Sequence, residues 1–136
     1  MQNFQILLLV AGGFIGFVSA VGKDFLLEKS KNKLKEKEFK RIKLEEVFIL
    51  TKTFFEESIK PIEYRNNTDH SKLPMIIRFY FKNLNQVYNL FLATYQKLQE
   101  SHFDQEKKDL HENTENFAKQ YKLFIDKVVE ESKKYY

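Results

Sequence analysis

The chain of 136 residues contains neither cysteine nor tryptophan. Without cysteine there is no disulfide framework, no thiolate zinc site and no thiol nucleophile. Glycine and proline are scarce. Gly12, Gly13, Gly16 and Gly22 are the whole glycine complement, and Pro61 and Pro74 are the only prolines. Residues 23–136 therefore offer no glycine for a phosphate-cradling loop, a nucleophile elbow or an Asn-Gly hairpin. Charge is missing from Phe4 to Gly22, a run of 19 positions in which only Gln5 and Ser19 are clearly polar. Lys, Glu, Leu, Phe and Asn dominate residues 23–136. A breaker-poor sequence of this kind is expected to be all-α.

The uncharged run has the length of a membrane span, since a helix needs about 20 apolar residues to cross the hydrocarbon core. Residues 1–22 are expected to form an N-terminal transmembrane helix that anchors the chain in the lipid bilayer. The rival reading is a cleaved secretory signal, because Val18-Ser19-Ala20 has the small-residue spacing of a cleavage site. Met1-Gln2-Asn3, however, lacks the basic residues that normally open such a signal. The basic residues lie on the other side: residues 23–43 carry nine Lys or Arg against four Asp or Glu. By the positive-inside rule the N-terminus is expected outside and the C-terminus in the cytoplasm, in a single-pass protein of the cell (inner) membrane. Lys23, Lys29 and Lys31 are the membrane-proximal cations. Gly12, Gly16 and Ala20 fall four apart on one helix face. Small residues at this spacing let two helix backbones approach, so this face is a candidate contact for a transmembrane homodimer.

Charge also argues against nucleic acid as a partner. Residues 44–136 hold fourteen basic and fifteen acidic side chains, so the excess behind the pI of about 9.1 sits entirely in the 23–43 segment. A nucleic-acid binder would carry it on the folded domain. The segment 23–43, charge-rich with few apolar residues, reads as a solvated helical stalk.

From Leu44 the apolar pattern thickens into an antiparallel three-helix, coiled-coil-like bundle over 44–136. Leu44, Val47, Phe48, Leu50, Thr51, Phe54, Phe55, Ile59 and Ile62 form a wide stripe on a first helix, about 44–62. Arg65 to Ser71 is the clearest loop. Pro74 suits the first turn of a second helix, 74–101. Its seam, Ile77, Phe81, Leu84, Tyr88, Phe91, Tyr95 and Leu98, alternates four and three. Met75, Ile76, Tyr80 and Leu90 widen that stripe, which makes this helix the expected centre of the bundle. Ser101 and Asp104 are candidate caps before a third helix, 105–134, with its own four-three seam: Leu110, Thr114, Phe117, Tyr121, Phe124, Val128, Glu131 and Tyr135. A hairpin at 102–105 is preferred over one helix from Pro74 to the C-terminus.

Little in the chain points to catalysis. His111-Glu112-Asn113-Thr114-Glu115 has one imidazole where a zinc helix needs two. His102, Asp104, Asp109 and His111 read as polar residues around a turn. Glu131 is the nearest thing to a buried acid, but so near the C-terminus that fraying should solvate it. Asn66-Asn67-Thr68 matches a glycosylation acceptor, irrelevant on the cytoplasmic side. No catalytic residue, metal or cofactor is expected. The expected function is a membrane-anchored scaffold or interaction protein with a protein partner. The alternative is a small membrane-active effector, of toxin or lysis type, acting through transmembrane oligomerisation.

Overall fold

The computed structural model describes residues 2–67, 69–103 and 109–136, with side chains from Gly22 onward within those ranges. Among the described residues every regular element is helical: α1 (Gln2–Ser58), α2 (Lys72–Tyr80), α3 (Asn85–Phe103) and α4 (Leu110–Ser132), with short 3₁₀ turns at Ile62–Tyr64 and Lys82–Leu84. The chain is all-α. It divides into two compact units, 1–38 and 39–136.

In the first unit all side chains from Gly22 to Glu38 are exposed, as a solvated charged helix requires. Among the described residues no helix is long and apolar enough to cross a membrane. Of the expected anchor at residues 1–22 only Gly22 falls within the described side chains, and its packing face at Gly12, Gly16 and Ala20 lies outside them.

The second unit is a helical bundle whose core is built from α1 (from Phe39 onward) and the three later helices. Ring contacts fix the directions. Phe39 meets Tyr80 at one end of α2 while Phe54 meets His70 just before the other, so α2 runs antiparallel to α1. Phe55 stacks on Tyr121, and the Arg41 guanidinium lies 5.7 Å from the ring of Tyr136, so α4 also opposes α1. Asn83 bonds Glu131 while Tyr95 meets Phe117, so α3 opposes α4. The bundle therefore runs up, down, up, down with a half-length second helix.

This corrects the expected three-helix bundle. The segment 74–101 is not one helix: the backbone breaks at Phe81 (φ −135°, ψ 60°), and the chain reverses through Lys82–Leu84. The seam hid the break because its members are buried or half-buried on both sides of the turn. Reversal lets Leu73, Ile76 and Ile77 close on the same core that Tyr88, Phe91 and Leu98 enter from α3. Two asparagines, Asn83 and Asn85, supply weak helix propensity at the turn. The first and third helices also differ from their expected bounds. α1 is continuous through the 23–43 segment and ends at Ser58, because residue 60 precedes Pro61 and is disfavoured in a helix. Arg65 then covers the last carbonyls, its Nη2 donating to Ser58 O at 2.8 Å and its Nε to Lys60 O at 2.9 Å. The third helix begins at Leu110 with Asp109 as its N-cap, whereas Ser101 lies inside α3 and Asp104 is outside the described residues.

The compact unit starts at Phe39, ahead of the Leu44 boundary read from hydropathy, because the last residues of the basic segment find aromatic partners. Lys40 Nζ lies 5.7 Å from the Tyr135 ring centroid and Lys43 Nζ 5.9 Å from that of Phe39. Inside the bundle α3 and α4 approach most closely. Phe91 stacks between Phe117 (5.0 Å) and Phe124 (5.8 Å), and all three are fully buried. Phe54 and Phe55 bring α1 onto this layer.

Candidate functional site

Lys23, Lys29 and Lys31 are exposed along α1. A side chain at Gly22 would meet nothing within 4 Å, so nothing described packs against that point of the helix. The acceptor triplet Asn66-Asn67-Thr68 has Asn66 exposed, while Thr68 is outside the described residues.

The histidines do not converge. His111 Nε2 lies 3.3 Å from Glu115 Oε1 in an exposed pair one helical turn apart. His70 packs edge-on against Phe54, and partial burial lowers its pKa against the opposing pull of Asp69 and Glu57. His102 lines a shallow groove with Ile59, Pro61, Ile62 and Leu110. Among the described residues no group of three His, Asp or Glu side chains could hold a metal ion.

Glu131 is more ordered than its position in the chain suggested. It is 6% exposed, and its carboxylate accepts from the Asn83 amide, from Lys134 Nζ at 2.5 Å and from the Tyr135 hydroxyl at 3.1 Å. Burial pushes its pKa up, but the three donors outweigh burial and leave it below the ordinary carboxylate value. The carboxylate is thus not solvated, as fraying would leave it: Asn83, from the α2–α3 turn, bonds it at the end of α4. These bonds tie the α2–α3 turn and the C-terminal residues to one carboxylate.

The surface feature that sequence reasoning missed is the outward side of α2. Met75 and Tyr80 were expected to widen a buried stripe. Instead Met75 is 58% exposed, Phe79 67% and Tyr80 43%, because the reversal at Phe81 makes α2 a peripheral helix with one face in the core. These side chains border a shallow concavity of about 250 Å³ completed by Lys43, Glu46 and Lys72. Lys43 Nζ donates to Glu46 Oε2 at 2.7 Å, so the carboxylate that lines the concavity is already paired. One signal was legible: between Asp69 and Glu100 the sequence contains no acidic residue, while Lys72, Arg78, Lys82 and Lys97 are all basic.

Against known proteins, the chain matches no family model, no curated protein and no solved structure.

Proposed function

We propose that the protein is a single-pass, membrane-anchored helical scaffold that presents its bundle to a protein partner at the cytoplasmic face of the cell membrane. The observation that carries this reading is the uncharged run Phe4–Gly22 followed directly by nine basic residues in 23–43. The run supplies the length of a span, and the cations set its orientation with the N-terminus outside. Tethering raises the local concentration of the bundle's surface at the bilayer, which suits an interaction protein without catalytic groups. The test is alkaline carbonate extraction of membranes, combined with a reporter active only in the cytoplasm fused after Tyr136. Retention in the pellet with an active reporter is the expected result. A stably expressed but silent fusion would overturn the orientation, and release by carbonate would overturn the anchor.

A second reading rests on the spacing of Gly12, Gly16 and Ala20. If that face drives oligomerisation in lipid, the chain could act as a membrane-active effector. Deleting residues 44–136 separates the two. An effector keeps its membrane phenotype, whereas a scaffold loses its function.

A further inference from the structure

We propose that the outward face of α2 docks on the anionic headgroup surface of a bilayer, with Met75 and Phe79 entering the interface. The proposal goes beyond the scaffold reading, since it assigns a second membrane contact to the bundle itself.

Three observations combine. Met75 and Phe79 lie one turn apart, and each exposes more than half of its surface. An apolar stripe flanked by cations on a helix is the pattern of interfacial helices. Lys72 and Arg78 stand exposed on the same short helix, and Lys82 comes next in the turn. Acidic groups are few around them: the stretch from His70 to Gln99 is free of Asp and Glu, Glu46 is occupied by Lys43, and Asp69, which interacts with Lys72, also accepts from Ser71 N, so among the described residues of α2 and its turn positive charge predominates. This charge selects an anionic partner.

Its shape argues against other occupants. A concavity of about 250 Å³ is shallower than the 300–1,000 Å³ typical of small-molecule sites. A few protruding apolar side chains also fall short of the roughly 800 Å² per partner that a stable protein interface buries. A lipid surface needs neither a deep pocket nor a matched contour. It takes shallow insertion, and the cations add the rest: each basic residue at an anionic surface strengthens partitioning by roughly fivefold.

The absence of native cysteine permits a direct test with the full chain. A nitroxide is placed at Met75→Cys, or at Leu123→Cys on α4 as a control, and the protein is reconstituted into phosphatidylcholine vesicles with or without phosphatidylglycerol. Accessibility to oxygen against a water-soluble nickel complex then reports immersion. The label at position 75 is expected to become oxygen-accessible and nickel-protected only with phosphatidylglycerol, while the label at 123 stays aqueous in both. Adding Lys72→Glu and Arg78→Glu should return the label at 75 to water, with helicity by circular dichroism unchanged. An aqueous label at 75 in the anionic vesicles would overturn the proposal. So would protection that is equal in both lipids, or protection that grows with protein-to-lipid ratio, which would identify a second copy of the chain as the occupant. Carbonate extraction of the same vesicles tests the anchor separately, so failure of the anchor and failure of this face give different results.

Discussion

The side-chain amide of Asn83 donates to the carboxylate of Glu131, joining the turn between α2 and α3 to the last turn of α4. The contact links residues far apart in sequence at the place where the chain reverses without glycine or proline. Lys134 and Tyr135 complete the carboxylate's shell, so the C-terminal turn is held by the same group.

Glu131→Gln should therefore weaken the fold and flatten its acid dependence. Because the pKa of Glu131 is lowered in the folded state, its contribution is present above the unfolded value, about 4.3, and is lost as pH falls through the folded value. At neutral pH the substitution should cost about 1–3 kcal/mol, the scale of leaving buried hydrogen-bond partners imperfectly paired. Denaturant midpoints of wild type and variant at pH 7 and at stepped values down to about pH 3, well below the unfolded value, check this. The gap should narrow in acid, and a constant gap would show that the carboxylate's charge is not what the shell stabilises.

Phe91→Ala tests the aromatic layer. Phe91 is fully buried and contacts rings from three helices: Phe54, Tyr88, Phe117 and Phe124. Removing a buried phenylalanine from such a site costs about 3–5 kcal/mol, because its neighbours cannot close the cavity. The cooperative thermal transition followed by circular dichroism should shift strongly downward. An unchanged transition would mean that the layer is not the centre of the bundle.

Arg65 carries a prediction that hydropathy alone would never raise. It sits in the segment read as a plain loop, yet its guanidinium donates to Ser58 O, to Lys60 O and to Gln99 Oε1 at 2.7 Å. The loop after α1 is thereby tied to α3. Arg65→Lys keeps the charge but loses the planar fork that reaches several acceptors at once. Amide exchange at the end of α1 should accelerate by roughly tenfold or more, equivalent to about 1.4 kcal/mol of local opening. Exchange indistinguishable from wild type would show that the clamp is dispensable.

The parts of the fold legible in the sequence are those governed by repeating pattern. The third seam, Phe117, Tyr121, Phe124, Val128 and Glu131, is buried or half-buried at each of these positions. The division into two helices was legible as well, but its place was not: α3 continues through the expected turn at 102–105 as far as Phe103, and α4 begins at Leu110. What escaped was set by single side chains meeting distant partners. The break at Phe81 leaves the four-three spacing intact, so periodicity passes straight through it. Its consequence, the exposure of Met75 and Phe79, was hidden for the same reason. The boundary at Phe39 depends on tyrosines at the far end of the chain, Tyr135 and Tyr136, which no local window joins to Lys40 and Arg41.

That uninterrupted spacing makes the turn at 81–84 a hinge in a specific chemical sense. A helix continued through it would still place Ile77, Phe81, Leu84 and Tyr88 on one face, so straightening sacrifices no apolar pattern. A straightened chain could keep its core only by giving α1 and α2 to a second copy and accepting that copy's in return, which is domain swapping. What opposes this is the reversed backbone together with the Asn83–Glu131 bond. Replacing Asn83 and Asn85 with Ala removes the bond, worth about 1–3 kcal/mol, and adds several tenths of a kcal/mol of helix propensity at each site. The double variant should shift toward dimer with rising concentration in detergent, by at least tenfold in association constant, since each 1.4 kcal/mol is a factor of ten. Light scattering after size-exclusion chromatography reads the mass. Dimers that persist when Gly12 and Gly16 are replaced by Leu would assign the exchange to the bundle rather than to a transmembrane face. A variant that stays monomeric at every concentration would show that the reversal at Phe81 is fixed by core packing and not by the turn's own residues.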